Sequence, residues 1–305
     1  MEKKRNLRKA IRKNQSLFLL SLPGLAFVAV VYYLPMFGIV LAFKDFDYAK
    51  GIWGSPWNGL ENFRFFFTSQ DAFRVTRNTL MLNLLFILVN TVAALFVAVM
   101  LYSLSRRLVK LFQTVLFFPY FLSWVVVGFL AYVFLNPVAG VFNRMLAAVG
   151  LPEVSWYADT GPWPALLTIF YVWKNLGYTA IIFYTGLLSL DKGYFEAAEI
   201  DGATQFQLVT KIAIPLISPL IVILTILAIG KILYSDFGLF YFVPRNSGLL
   251  YPVTDVIDTY VYRGLKGGEM GMSAAVGFYQ SMVGFALVLA TNFIVKRINP
   301  DNSIF

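Results

Sequence analysis

Six runs of about 20 or more apolar residues, the length needed to cross a bilayer, recur along this chain. They lie near Leu17–Phe43, Thr79–Tyr102, Leu111–Leu135, Trp163–Leu188, Ile212–Tyr234 and Ala274–Val295. A hydrocarbon core offers no hydrogen-bond partners, so a backbone crossing it must satisfy its own polar groups as a helix or a closed barrel. The runs lack strand-like alternation and are too long for barrel strands. They predict an all-α, polytopic membrane protein with six transmembrane helices. The mean hydropathy of +0.70 and a charged fraction of 13% agree, the latter about half the usual share. A basic region precedes the first run, as in a secretory signal. The apolar stretch is about twice the ~7–15 residues of such a signal and no small-x-small site follows, so this span is expected to be retained.

The basic residues predict the orientation. Lys3, Lys4, Arg5, Arg8, Lys9, Arg12 and Lys13 crowd the N-terminal tail, residues 1–16. With that tail in the cytoplasm, the segments on its side hold 14 Lys and Arg in 57 residues, against 9 in 101 on the other. Both termini are therefore expected to be cytoplasmic. The same partition accounts for the net charge of +9, an insertion signal and an attraction to anionic membrane lipid rather than to nucleic acid. The remainder, 17–305, reads as one six-span domain without an internal repeat or a soluble module.

Several chemistries are excluded. The chain has neither His nor Cys, which removes disulfides, the usual transition-metal ligands and most acid–base or nucleophilic constellations. No phosphate-binding G-x-x-x-x-G-K-[ST] occurs; the single Gly-Lys pair, Gly230-Lys231, is followed by Ile232. No catalytic residue and no metal site is predicted.

The longest segment on the tail's side interrupts the apolar pattern with EAAEIDGATQFQLVTKIAIP, residues 196–215. Asp191 is a suitable N-cap for a short helix through Glu199, with Glu196 in its early turns. Asp201-Gly202 should break that helix, and a second should run from about Ala203 towards Ile214, with Pro215 marking entry into the fifth span. Segment 191–215 thus predicts a helix–turn–helix projecting from the membrane. Ala197, Ala198 and Ala203 would allow close approach of a partner, and Glu196, Glu199 and Asp201 would meet a basic rim.

The spacing Glu196-Ala197-Ala198, Gly202, Ile212 and Pro215 resembles the signature of ABC importer permeases, with Ile214 where Leu is usual. Asp201-Gly202-Ala203 is similar to the carbohydrate-uptake, maltose-permease-like members. Tyr33-Leu34-Pro35-Met36-Phe37-Gly38, Trp173-Lys174-Asn175-Leu176-Gly177 and the stretch from Asp255 to Arg263 resemble LplB-type oligosaccharide permeases. The resemblance implies a type I ABC importer permease fold. It also implies a second homologous six-span permease, two cytoplasmic ATPase subunits that bind ATP and Mg, and an extracytoplasmic solute-binding protein. Segment 191–215 would be the coupling helix, with Glu196, Ala197, Ala198, Asp201, Gly202 and Ala203 docking on the ATPase. The chain itself would carry no cofactor and no ATPase site, and would sit in a bacterial cytoplasmic membrane.

Two lysines fall within the predicted spans, Lys174 and Lys231. A charge at membrane depth costs at least ~2.5–3.5 kcal/mol and faces a cavity or a partner, yet no acid lies inside any span. Tyr171, Trp173, Asn175 and Tyr178 surround Lys174 in sequence and suit sugar rings. These six residues are candidates for the substrate path. The other reading of Lys174 is structural, a bond to backbone carbonyls or to an acid on a partner permease. Asn83, Asn90 and Asn292 are expected to make interhelical bonds. Pro137–Val149 and Val253–Leu265 carry helical stripes and are expected at the outer interface. The competing class is a stand-alone secondary transporter or channel, for which the acidic segment would be idle; a membrane enzyme is a third.

Overall fold

The computed structural model describes residues 14–298; the basic tail from Lys3 to Lys13 and residues 299–305 lie outside them. Among the described residues the chain is helical apart from its connections and one isolated antiparallel bridge, Lys44 to Trp57. α1 (Gln15–Phe43) is exposed over most of its length and packs against α13 near its end. It widens into a π-turn at Ala29–Tyr33 and tightens to 3-10 winding over Leu34–Phe43. Pro35 sits at this change and has no N–H to donate backwards, so the hydrogen-bond ladder must be re-spaced there. α2 (Glu61–Thr68) leads into α3 (Gln70–Tyr102), whose first turn is capped by Ser69.

The third apolar run is not the one straight helix that its composition suggests. α4 (Arg106–Phe121) and α5 (Trp124–Leu135) meet at 96°. Pro119 lies in the last turn of α4, Leu122 is extended, and the Ser123 hydroxyl accepts from the Val126 N–H at 3.3 Å to start α5. The fifth run is bent too. α9 (Gln205–Leu216) and α10 (Ser218–Gly230) differ by 60° across Ile217, and Pro219 removes a donor from the first turn of α10. α10 ends at Gly230, four residues before the expected limit at Tyr234. Four single helices are long and apolar enough to span, and the two bent pairs bring the number to six.

Between the spans lie α6 (Val141–Ala148), α8 (Lys192–Ile200), α11 (Phe237–Phe242) and α12 (Ile257–Lys266); α7 (Trp163–Leu188) and α13 (Met270–Ile298) are the fourth and sixth spans. α12 does not run over the whole of Val253–Leu265 as its stripe predicts. A break at Asp255–Val256 delays it to Ile257, and Ile257, Thr259 and Gly264 are buried against the bundle. The break is held by Asp255, which is fully buried and accepts from Arg74 Nη2 at 3.1 Å and from Arg263 Nη2 at 2.6 Å. α6 is tied to its flanking loop through Asn143, which donates to the carbonyls of Pro137 and Val154 and accepts from the Trp156 indole.

α3 and α7 form the central pair. In lipid no water-exclusion force draws helices together, so close packing of small residues must do it. Ala94, Ala98 and Ala180 are fully buried between them. Gly177 carries this further: a Cβ built there would stand 2.1 Å from the Leu116 carbonyl oxygen, so α7 touches the end of α4 backbone to backbone. Towards the other end, α5 and α11 fold against the pair around Phe86, Trp163, Leu239 and Phe240.

Candidate functional site

Residues 191–215 build a capped helix–turn–helix at one end of the bundle. The Asp191 carboxylate accepts from the Gly193 N–H at 2.9 Å and starts α8. Gly202 has φ +78°, the left-handed turn that glycine adopts at least cost. The turn is closed by Gly202 N–H to the Glu199 carbonyl at 3.0 Å and Ala203 N–H to Ala198 at 2.9 Å. Thr204 and Gln207 then form a reciprocal capping box that opens α9. Glu196, Ala197, Glu199, Asp201 and Gly202 are exposed; Ala198 and Ala203 are half-buried in the turn. α8 rests on the end of α3 through Tyr102 and Phe195, whose rings are 5.7 Å apart.

The structure adds residues that the sequence reading passed over. Tyr194, Ile200 and Phe206 project from this segment, Ile200 with 86% of its surface exposed and Phe206 with 76%. Apolar knobs between carboxylates on a projecting helix make a surface suited to a cleft with an apolar floor and a basic rim. Their signal was present in the sequence as large apolar side chains set among the acids and amides of residues 191–207.

A second site lies among α3, α7 and the end of α10. Here a cleft of about 380 Å³ is lined by Asn83, Phe86, Tyr171, Asn175, Lys231, Tyr234, Ser235 and Asp236, with Ile87, Ala228 and Ile232. Phe86 and Tyr171 stack at 4.5 Å and 14°. Asn83 donates to the Ile232 carbonyl at 2.7 Å and to Ser235 Oγ at 3.0 Å, fixing the chain beyond α10. Asp236 caps α11, accepting from the Gly238 N–H at 3.2 Å and from the Trp124 indole at 2.6 Å. Burial pushes its carboxyl above the usual range, against those hydrogen bonds.

Of the six path candidates, the structure brings Tyr171, Asn175 and Lys231 together in this cleft and leaves three outside it. Lys174 is buried, and its ammonium donates to the carbonyls of Pro119 (3.3 Å), Tyr120 (2.8 Å) and Leu122. Of its two sequence readings the structural one, a bond to backbone carbonyls, is what the structure shows, and the break in the third span supplies those carbonyls. The end of a helix leaves carbonyls without intrahelical donors and carries partial negative charge, which suits a cation. Rings of Tyr120 and Trp124 flank the ammonium at 5.7 and 5.3 Å. Tyr178 stacks on Tyr120 at 4.9 Å, and Trp173 is exposed. Asn90 makes an interhelical bond to Thr179 at 3.0 Å. Phe86, Ser235 and Asp236 were missed as cleft residues because no local pattern marks them.

The chain has counterparts among known proteins along most of its length. The family model described as "binding-protein-dependent transport system inner membrane component" matches residues 90–300. The protein LplB of Bacillus subtilis (strain 168) is 34% identical over 96% of this chain and 92% of its own length. The polygalacturonan/rhamnogalacturonan transport system permease protein YteP of the same organism is 32% identical over 98% and 94%. Among solved structures, a bacterial ABC transporter involved in the import of the acidic polysaccharide alginate matches with a TM-score of 0.88 and 31% identity, covering 96% of this chain and 99% of that one. With the family model covering well over half its length, this chain belongs to the binding-protein-dependent transport system inner membrane components, the membrane-spanning permeases of ABC importers.

Proposed function

We propose that this chain is one of two six-span permeases in an ATP-driven importer of oligosaccharides in a bacterial cytoplasmic membrane, with both termini cytoplasmic. The observation that carries the reading is the projecting segment from Asp191 to Thr204, rigidly capped yet exposed, in a chain of this family. Two cytoplasmic ATPase subunits, which bind ATP and Mg, would seat α8 through Glu196, Ala197, Ala198, Asp201, Gly202 and Ala203, with Tyr194, Ile200 and Phe206 as apolar anchors. A second homologous permease would complete the pathway, and the exposed apolar surface of α1 supports a role in facing lipid or that partner. An extracytoplasmic binding protein would deliver substrate. The solved relative described in complex with an alginate pentasaccharide-bound periplasmic protein, at a TM-score of 0.86 and 30% identity, supports both the oligosaccharide and the delivery step.

In this reading the cleft lined by Tyr171, Asn175 and Lys231 lies on the path, whereas Lys174 and Tyr178 hold the broken third span and Trp173 stands outside it. Closure of the ATPases on ATP would move α8 and shift the spans between inward- and outward-facing states. The driving energy is the difference in contacts between those states.

The test is uptake and ATP hydrolysis by the reconstituted importer carrying Glu196→Lys or Gly202→Asp. Each variant should insert and assemble but lose at least about tenfold in uptake, equivalent to about 1.4 kcal/mol, with ATP hydrolysis no longer raised by substrate. Normal coupled uptake by both variants refutes the docking assignment.

A further inference from the structure

Among the described residues, every charged group near the cleft but one is already engaged within the chain. Lys174 is turned into the carbonyls of the broken span. The Asp236 carboxylate receives the Trp124 indole and the Gly238 N–H. Lys231 differs. It is exposed, lines the cleft, and among the described residues its ammonium has no hydrogen-bond partner and no carboxylate within 4.0 Å. It follows the last residue of α10, where the helix end favours a cation. A lysine near membrane depth that pairs with nothing in its own chain faces water or a ligand.

The rest of the lining says what that ligand is. Tyr171, backed by the fully buried Phe86 ring, offers an aromatic face to the C–H side of a sugar ring, and Asn175, Tyr234 and Ser235 offer hydroxyl and amide groups to its oxygens. A single free ammonium among them suits a ring that carries one acid group. We propose that Lys231 pairs with the carboxylate of a uronate-type sugar and makes this cleft selective for acidic oligosaccharides over neutral ones. The inference rests on the reading that the cleft lies on the path of an oligosaccharide importer. Asp236 lines the same cleft, but its carboxylate is held by the Trp124 indole and the Gly238 N–H, which leaves Lys231 as the group free to meet the acid.

The experiment measures binding to the purified complex without its binding protein, so that selectivity upstream does not enter. The probes are trigalacturonate and its neutral methyl ester, tested on the native complex, Lys231→Gln and Lys231→Arg. The native complex should prefer the acid by about tenfold, the scale of one charge-assisted hydrogen bond, and the preference should shrink with added salt. Lys231→Gln should abolish the preference by weakening the acid far more than the ester, and Lys231→Arg should retain it. Equal weakening of both probes by Lys231→Gln would assign Lys231 to a structural contact, such as an acid on the second permease, and overturn the proposal. Equal binding of both probes by the native complex also overturns it. If neither probe binds but a neutral oligosaccharide is taken up with ATP, selectivity fails and the importer reading stands. If no oligosaccharide is taken up with ATP, the importer reading fails as well.

Discussion

Replacing Lys174 with Met should cost this protein about 2–6 kcal/mol of stability, worked from its carbonyl cage. Met has nearly the same length and fills the same volume, so packing is preserved and the hydrogen bonds are removed. The Pro119 oxygen keeps its bond from the Leu122 N–H at 3.1 Å, so the loss falls on the carbonyls of Tyr120 and Leu122. Each buried acceptor left without this partner costs about 1–3 kcal/mol. The ammonium's own cost at membrane depth does not cancel this, because an inserted but unpacked span bears it too. Unfolding followed by tryptophan fluorescence suits the question, since the Trp124 ring lies 5.3 Å from the ammonium. Lys231→Met is the control: it removes the same charge from a residue without such bonds, and stability should not change. A Lys174→Met protein within about 0.5 kcal/mol of the native one, the ordinary scatter of surface changes, would refute the staple.

Gly177→Ala should lose at least about 1–3 kcal/mol, because α7 must move off the Leu116 carbonyl that a Cβ would meet at 2.1 Å. The same unfolding measurement on Gly284→Ala, where the nearest atom is at 3.7 Å, should show no loss and a gain of up to about 1 kcal/mol from helix propensity. Asp258 is held above its ordinary range by burial, against hydrogen bonds from the Ser235 N–H and Gln280. The folded state therefore binds this proton more tightly than the unfolded one, and that contribution is lost as pH rises from 3.8 through the raised pKa. Asp258→Asn should be at least as stable as the native protein at pH 7 and should lack this fall; a clear loss of stability at pH 7 would refute the assignment.

The spans were legible because a bilayer demands about 20 apolar residues whatever follows. The breaks were not: Pro119 and Pro219 lie in runs that stay apolar on both sides of the bend, and proline is tolerated in spanning helices. The projecting segment was legible in detail because its signals act over a few residues. Asp191 as cap and Asp201-Gly202 as breaker need no distant contact to be read. The cleft draws on residues as far apart as Asn83 and Asp236, so no window of sequence could assemble it. Lys174 and Lys231 show the limit most directly. Both are lone cations in apolar runs, and only the break beside one of them separates a staple from a free charge.

The projecting segment and the cleft share one stretch of chain, which links docking to the path in physical terms. The turn at Gly202 is closed by two backbone hydrogen bonds, so α8 and the start of α9 move as a unit. Leu208, Ala213 and Ile217 of that stretch are buried, the last two in a cluster with Ala94, Ala98 and Ala180 of α3 and α7. The backbone takes up π winding over Leu208–Ala213 and then bends by 60° at Ile217. On the proposed reading, displacement of α8 is taken up between Leu208 and this bend rather than at the turn. α10 has 13 residues beyond it and so is about 20 Å long, with Lys231 at its far end. A tilt of about 10° on that lever, at 1.5 Å of rise per residue, carries Lys231 about 3 Å. Such a shift is enough to make or break one hydrogen bond to a ligand in the cleft. On the proposed reading, this lever gives the two states of the transporter different affinities for the same sugar, as alternating access requires.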